Sequence, residues 1–232
     1  MTAPRYAIYY APAPGSPLWS FGSSVLGYDA ATGADIPALA PQGISRDAWR
    51  ILTETPRRYG FHATLKAPFQ LAEGRTEDDL VAAGRDFART RKPFLLPELE
   101  VVALGPFVGL QPKERSAELD DLANGCVEAF EPFRAPTGEA ELARRLESPL
   151  SERQKAALDL WGYPYVFDDF HFHMTLTGPL QPEMILRVRA GLSRLHEDHV
   201  AFASTQVDAV ALFVQDRPED GFRIVDRFVF AG

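Results

Sequence analysis

With a single cysteine, Cys126, in 232 residues, the chain can form no internal disulfide and lacks the thiolate set of a structural zinc. Cys126 falls in a helical apolar pattern and reads as an inert core residue. Apolar runs stop well short of the roughly 20 residues that a membrane helix needs. The opening Met1-Thr2-Ala3-Pro4-Arg5 has none of the apolar stretch of a signal peptide, so a cytoplasmic protein without a membrane partner is expected. Positive charge is the scarcer sign: 24 Lys and Arg against 32 Asp and Glu leave a net charge of −8. That balance opposes binding to long nucleic acid, whose affinity rests on Lys and Arg meeting phosphates. P-loop, dinucleotide-binding glycine fingerprint and nucleophile elbow are all missing, which sets aside nucleoside triphosphate hydrolysis, dinucleotide redox chemistry and acyl transfer. No cofactor is called for.

Histidine is sparse too, with five in the chain, yet two of them stand in matched surroundings. Arg58-Tyr59-Gly60-Phe61-His62-Ala63-Thr64-Leu65-Lys66-Ala67-Pro68-Phe69 shares its core with Phe172-His173-Met174-Thr175-Leu176-Thr177-Gly178-Pro179-Leu180. Both read Phe-His-x-Thr-Leu-x-x-Pro and then an apolar residue. In a strand, residues i and i+2 share a face, so His62 looks the same way as Thr64, and His173 the same way as Thr175, with Ala63, Leu65, Met174 and Leu176 behind them. Two such strands facing each other would make a cleft with two imidazoles and two hydroxyls. Imidazole exists in both protonation states near neutrality and can take a proton at one end of a reaction and give one at the other. A threonine hydroxyl donates to an anionic oxygen that gains charge in a transition state. The residue types point to phosphoester chemistry without a metal.

At these residues the chain resembles the two-histidine phosphoesterase superfamily, which includes cyclic nucleotide phosphodiesterases and RNA-ligase-like proteins and is marked by two His-x-Thr/Ser motifs on strands of two duplicated lobes. The Arg-Arg-Tyr-Gly-Phe-His-Ala-Thr-Leu-Lys run is most similar to a bacterial subgroup found with phosphonate-utilisation genes. The resemblance implies that His62 and His173 are the acid/base pair, that Thr64 and Thr175 hold phosphate, and that the substrate is a small, cyclic phosphodiester. Arg58, Tyr59, Lys66 and Tyr165 are further candidates for substrate contact. Lys66 lies two positions beyond Thr64 on the expected strand face, and Arg58 returns to that face if the strand begins early enough, although Gly60 makes the parity unsafe. Tyr59 precedes His62 by three residues and Tyr165 precedes His173 by eight, and Tyr9 or Tyr10 of the first strand could also reach the cleft.

Length and a hydrophobic content of 46% suffice for one large domain or two small lobes. Arg5 to Tyr10 alternates as a strand. The Pro-, Gly- and Ser-rich stretch from Ala11 to Gly43 is too long for a simple connection and is expected to cover the fold, with a short helix near Ser23 to Gly27. Ser45 caps a helix to about Thr53, and Pro56 separates it from the motif strand. Helices are predicted from Thr76 to Arg89, Ser116 to Phe130, Thr137 to Leu146, Ser151 to Leu160, and from Pro182 onward. Strands are predicted between Leu95 and Val108, at Val200 to Phe202, Gln206 to Gln215 and Gly221 to Phe230. Strand, helix and strands thus follow each motif, as an internal duplication would. The expected fold is α+β: two similar lobes, about 54–110 and 165–232, with antiparallel sheets facing a central cleft and helices outside, preceded by a strand and covering segment (1–53) and joined by a helical connection (111–164).

Competing readings start from the same residues. The histidines could be buried structural groups, and threonine is simply a good strand former. His171 and His173 lie about 6–7 Å apart on one strand face, so that with His62 and Asp168 or Asp169 a metal-dependent hydrolase can be drawn. Asp169 or His171 could instead orient His173. A non-catalytic module for a nucleotide or phosphorylated metabolite needs the same hydroxyls and imidazoles.

Overall fold

The computed structural model describes residues 3–147, 149–200 and 204–232. The first strand, β1 (Arg5–Tyr10), is buried beyond Arg5 and splits two apolar clusters by its alternation. Tyr6, Ile8 and Tyr10 enter the main core, while Ala7 and Tyr9 join Tyr28, Phe213 and Phe222 on the other side. Helix α1 (Pro17–Leu26) begins earlier than expected, because Ser16 accepts a hydrogen bond from the Trp19 amide and Pro17 stands at the first helical position, a favoured start. Two short strands follow, β2 (Tyr28–Asp29) and β3 (Ala34–Asp35). Ser45 caps α2 (Arg46–Leu52) as predicted, and Pro56 lies in the first turn of α3 (Glu54–Arg57), where its missing N–H costs nothing.

The first motif strand is β4 (Ala63–Phe69), followed by α4 (Glu77–Arg89) with a Thr76–Asp79 capping box. Then come β5 (Phe94–Leu95), β6 (Leu99–Leu104) and β7 (Phe107–Pro112). Gly105 at φ +62° opens the two-residue turn between β6 and β7, a conformation glycine adopts without strain. Helices α5 (Ala117–Phe130), α6 (Glu139–Leu146) and α7 (Glu152–Trp161) make the connection. The second motif strand, β8 (Met174–Thr175), is followed by α8 (Pro182–Val200), β9 (Gln206–Val207), β10 (Ala209–Gln215) and β11 (Arg223–Val229). The strand expected at Val200 to Phe202 lies outside the described residues except for Val200, which ends α8. Among the described residues no helix is long and apolar enough to cross a membrane.

The fold is α+β, with a large antiparallel sheet in the order β11-β10-β1-β4-β8-β7-β6. Two features depart from the expected lobes. The halves are joined edge to edge by the Ala63–Met174 pair, so the motif strands are neighbours in one sheet rather than opposite walls. The halves are also interleaved. The hairpin that follows the first motif, β6–β7, pairs with the second motif strand, while β10, which follows the second motif, pairs with β1 beside the first. Lobe boundaries at 54–110 and 165–232 therefore do not correspond to separate sheets: each helical crossover carries its hairpin to the far half, where an edge is open.

Candidate active site

The Ala63–Met174 pair is the geometric centre of the site. One step either side, its antiparallel register sets His62 against Thr175 and Thr64 against His173. All four side chains then share the face opposite Ala63 and Met174, which are buried in the core. Each imidazole stands across from the other motif's hydroxyl, so His62 and His173 are diagonal neighbours across the pair, a relation that separates residues by about 7–8 Å.

The two rings are held alike. His62 donates from Nδ1 to the Gly60 carbonyl at 2.9 Å, and His173 donates from Nδ1 to the His171 carbonyl at 2.8 Å. A carbonyl can only accept, so the neutral rings carry their proton on Nδ1 and leave Nε2 as the free base. His62 Nε2 meets Thr64 Oγ1 at 3.2 Å. Behind His62, the Tyr9 ring is stacked at 3.8 Å between centroids and 23° between planes, with Phe213 next to it. Burial among these rings pushes the His62 pKa down from 6.5 to about 4, against the raising effect of the Gly60 hydrogen bond and with a small further push from His173. His173 is lowered as well, by burial first, opposed by its bond to His171.

A cavity of about 330 Å³ opens on this face, lined by His62, Thr64 and Thr175. His173 is not among the lining residues; its ring lies 6.1 Å from that of Phe107, which is. Tyr59 lines it as well, stacked on Phe222 at 5.3 Å. The remaining sequence candidates fall elsewhere. Lys66 is turned into the core side, where its ammonium donates to Glu131 at 2.6 Å and to the Val127 carbonyl at 3.1 Å. The cause is a β-bulge: Tyr9 pairs with Thr64 but Ile8 with Lys66, so one extra residue reverses the alternation and brings Ala67, not Lys66, to the cavity. Arg58 is exposed at the end of α3 with helical backbone angles, and Gly60 at φ +71° breaks any strand parity between it and His62. Tyr165 is 42% exposed and packs edge-on against Tyr163; it is Tyr163 that lines the cavity. Thr177 also reaches the wall, but its hydroxyl accepts from the Val108 amide at 3.0 Å and so ties the β8 segment to β7.

The cationic part of the lining comes from residues that local patterning did not single out: Arg5, Arg144 and Arg145. The adjacent arginines of α6 were the available signal, in a chain with an acid excess. His171 is exposed and contributes its carbonyl. Among the described residues, no three His, Cys, Asp or Glu side chains are gathered as a metal ion would require. A larger groove of about 820 Å³ between β6 and α8 contains His196 with Glu98 and Lys113, and none of the motif residues.

Fold and cleft together define an α+β protein with paired His-x-Thr strands at the centre of one sheet. The family described as "Protein of unknown function (DUF1045)" matches residues 64–223, and the chain belongs to that family. Two curated relatives are named ribose 1,5-bisphosphate phosphokinase PhnN. The one from Janthinobacterium sp. (strain Marseille) is 38% identical over 98% of this chain and 51% of its own length. The one from Laribacter hongkongensis (strain HLHK9) is 36% identical over 95% and 50%. The chain thus spans about half the length of the curated relatives it matches. Among solved structures, E. coli LigT complexed with 3′-AMP aligns over the whole of both chains at 12% identity and a TM-score of 0.41, too loose an overlap to carry function across.

Proposed function

We propose that the chain is a metal-independent phosphoesterase acting on a small cyclic phosphodiester, with His62 and His173 sharing the proton transfers and Thr64 and Thr175 holding phosphoryl oxygens. The observation that carries this reading is the pair of matched imidazoles, each fixed through Nδ1 to a carbonyl two residues back. In the reaction, one Nε2 takes a proton from water as its oxygen bonds to phosphorus. The P–O bond to the leaving oxygen breaks, and the other ring, as imidazolium, gives that oxygen its proton. The products are a phosphomonoester and a free hydroxyl, with the protonation states of the two rings exchanged.

Burial lowers both pKa values, so the acid form has to be favoured by the phosphate of the substrate, whose negative charge raises the pKa of a nearby imidazole. The name PhnN supports a setting in phosphonate metabolism. Because this chain has no P-loop, the phosphokinase activity in that name is not part of the proposal for it.

The test is a panel of 2′,3′-cyclic nucleotides, cyclic ribose phosphates and 2′,5′-linked dinucleotides, assayed with the pure protein and again after chelation. Turnover that survives the chelator is the expected result. Turnover lost together with about one equivalent of zinc, iron or manganese would replace this reading with a metal-dependent one through His62, His171 and His173. No turnover on any member would leave a binding module for a phosphorylated metabolite.

A further inference from the structure

The cleft also gathers positive charge. Arg5, Arg144 and Arg145 line the same cavity as His62 and Thr64, and among the described residues only Glu141 stands within ion-pair distance of them. Glu141 is shared: Arg144 forks onto both its oxygens at 2.7 and 2.8 Å, and Arg145 reaches Oε1 at 2.7 Å. Arg145 also lies over the Tyr163 ring, 4.8 Å from guanidinium carbon to centroid, and its Nε is buried without a partner. Arg5 has a neutral partner instead, donating from Nε to the Gln215 side-chain oxygen at 2.9 Å, and stacks over Phe222 at 5.5 Å. Three guanidiniums against one carboxylate leave two positive charges uncompensated, in a protein whose net charge is −8. Among the described residues, no carboxylate lines this cavity.

A guanidinium lying over an aromatic ring, as those of Arg5 and Arg145 do, keeps the planar fork that bidentate recognition of phosphate uses. From this we infer that Arg144 and Arg145, with Arg5, form a second anion subsite for a phosphate monoester carried by the same ligand whose other phosphoryl group meets the histidines and threonines. The inference deepens the phosphoesterase reading and rests on it for the first subsite. About 330 Å³ accommodates a sugar with two phosphate groups and not a polymer, so the ligand class is a small doubly phosphorylated sugar.

Calorimetric titration with fructose 1-phosphate, fructose 6-phosphate and fructose 1,6-bisphosphate tests the subsite without requiring turnover. The bisphosphate should bind at least about tenfold tighter than either monophosphate. The combined Arg144→Gln, Arg145→Gln protein should bring the three within about twofold of one another, and Arg144→Lys, Arg145→Lys should restore part of the difference; circular dichroism would establish that α6 and the fold persist. Equal affinities in the unmodified protein, absence of bisphosphate binding, or a preference that survives the glutamine substitutions would each overturn the subsite. The combined His62→Gln, His173→Gln protein separates the two ideas. If it binds all three sugars unchanged while the arginine-dependent preference remains, the arginine subsite stands and the two-histidine reading falls.

Discussion

His62 and His173 differ from free histidine in two respects that make them useful as a pair: each has a fixed tautomer, and each is less basic than usual because its charged form is poorly solvated. If they act as one relay, His62→Ala and His173→Ala should each lower kcat at least about 100-fold. The double variant should be little worse than the more damaging single, since residues that act as a unit are not additive. Thr64→Val and Thr175→Val should cost less, about 1–3 kcal/mol of transition-state stabilisation each. Independent losses that multiply in the double variant would contradict the relay. The lowered pKa values also bear on stability. Between about pH 4 and 6.5 the unfolded chain takes up protons that the folded His62 refuses, so folding stability falls as pH drops through that window. His62→Gln should flatten the slope, measurable by urea unfolding at stepped pH, and an unchanged slope would place the titration elsewhere.

At the level of elements, the decisive feature is the bulge in β4 just after Thr64, which leaves Thr64 in the cleft and turns Lys66 away to α5. The Lys66–Glu131 pair is buried on the lysine side, with Lys66 at 4% exposure and Glu131 at 24%. Removing one partner of such a pair leaves an uncompensated charge, a loss of about 3 kcal/mol where both are buried and somewhat less here. Glu131→Gln should therefore destabilise the fold by about 2 kcal/mol in chemical denaturation while leaving kcat/KM within about twofold. A large fall in kcat/KM without loss of stability would return Lys66 to the substrate. The caps show the opposite behaviour. Ser16, Ser45, Thr76, Ser116 and Ser151 each accept the amide hydrogen bond that starts their helix, an interaction confined to four consecutive residues; the last four starts were legible along the chain, whereas the helix after Ser16 was expected only near Ser23.

At the scale of the whole molecule, exchange of hairpins between the halves makes the sheet a single cooperative object. β10 is buried along its length between β1 and β11, although about two hundred residues separate it from β1 in sequence, as the Tyr6–Val214 pair shows. A chain ending at Val200 should therefore lose the dispersed amide spectrum of the full protein, because β1 would be left with an open edge and its apolar face uncovered. Retention of native shifts for residues 54–110 in that truncated chain would show an autonomous first lobe and contradict the interleaving. Partners so distant also give a high contact order, for which slow folding is expected.

What the sequence determined by itself is local and periodic. The duplicated Phe-His-x-Thr-Leu pattern placed each histidine and threonine on one strand face, the order strand, helix, strands was read correctly after both motifs, and the antiparallel α+β class followed from it. Tertiary structure decided which strands became neighbours, so that the two motifs meet through Ala63 and Met174 rather than across a gap. It also set the bulge that removed Lys66 from the cleft and the positive φ at Gly60 that removed Arg58. The arginines of α6, far along the chain from both motifs, reached the cavity wall in the same way. Alternation and capping are set by backbone geometry over a few residues and leave a trace at that spacing. Pairing partners, bulges and the residues that close a cavity are chosen by burial between distant segments, and no local period records them.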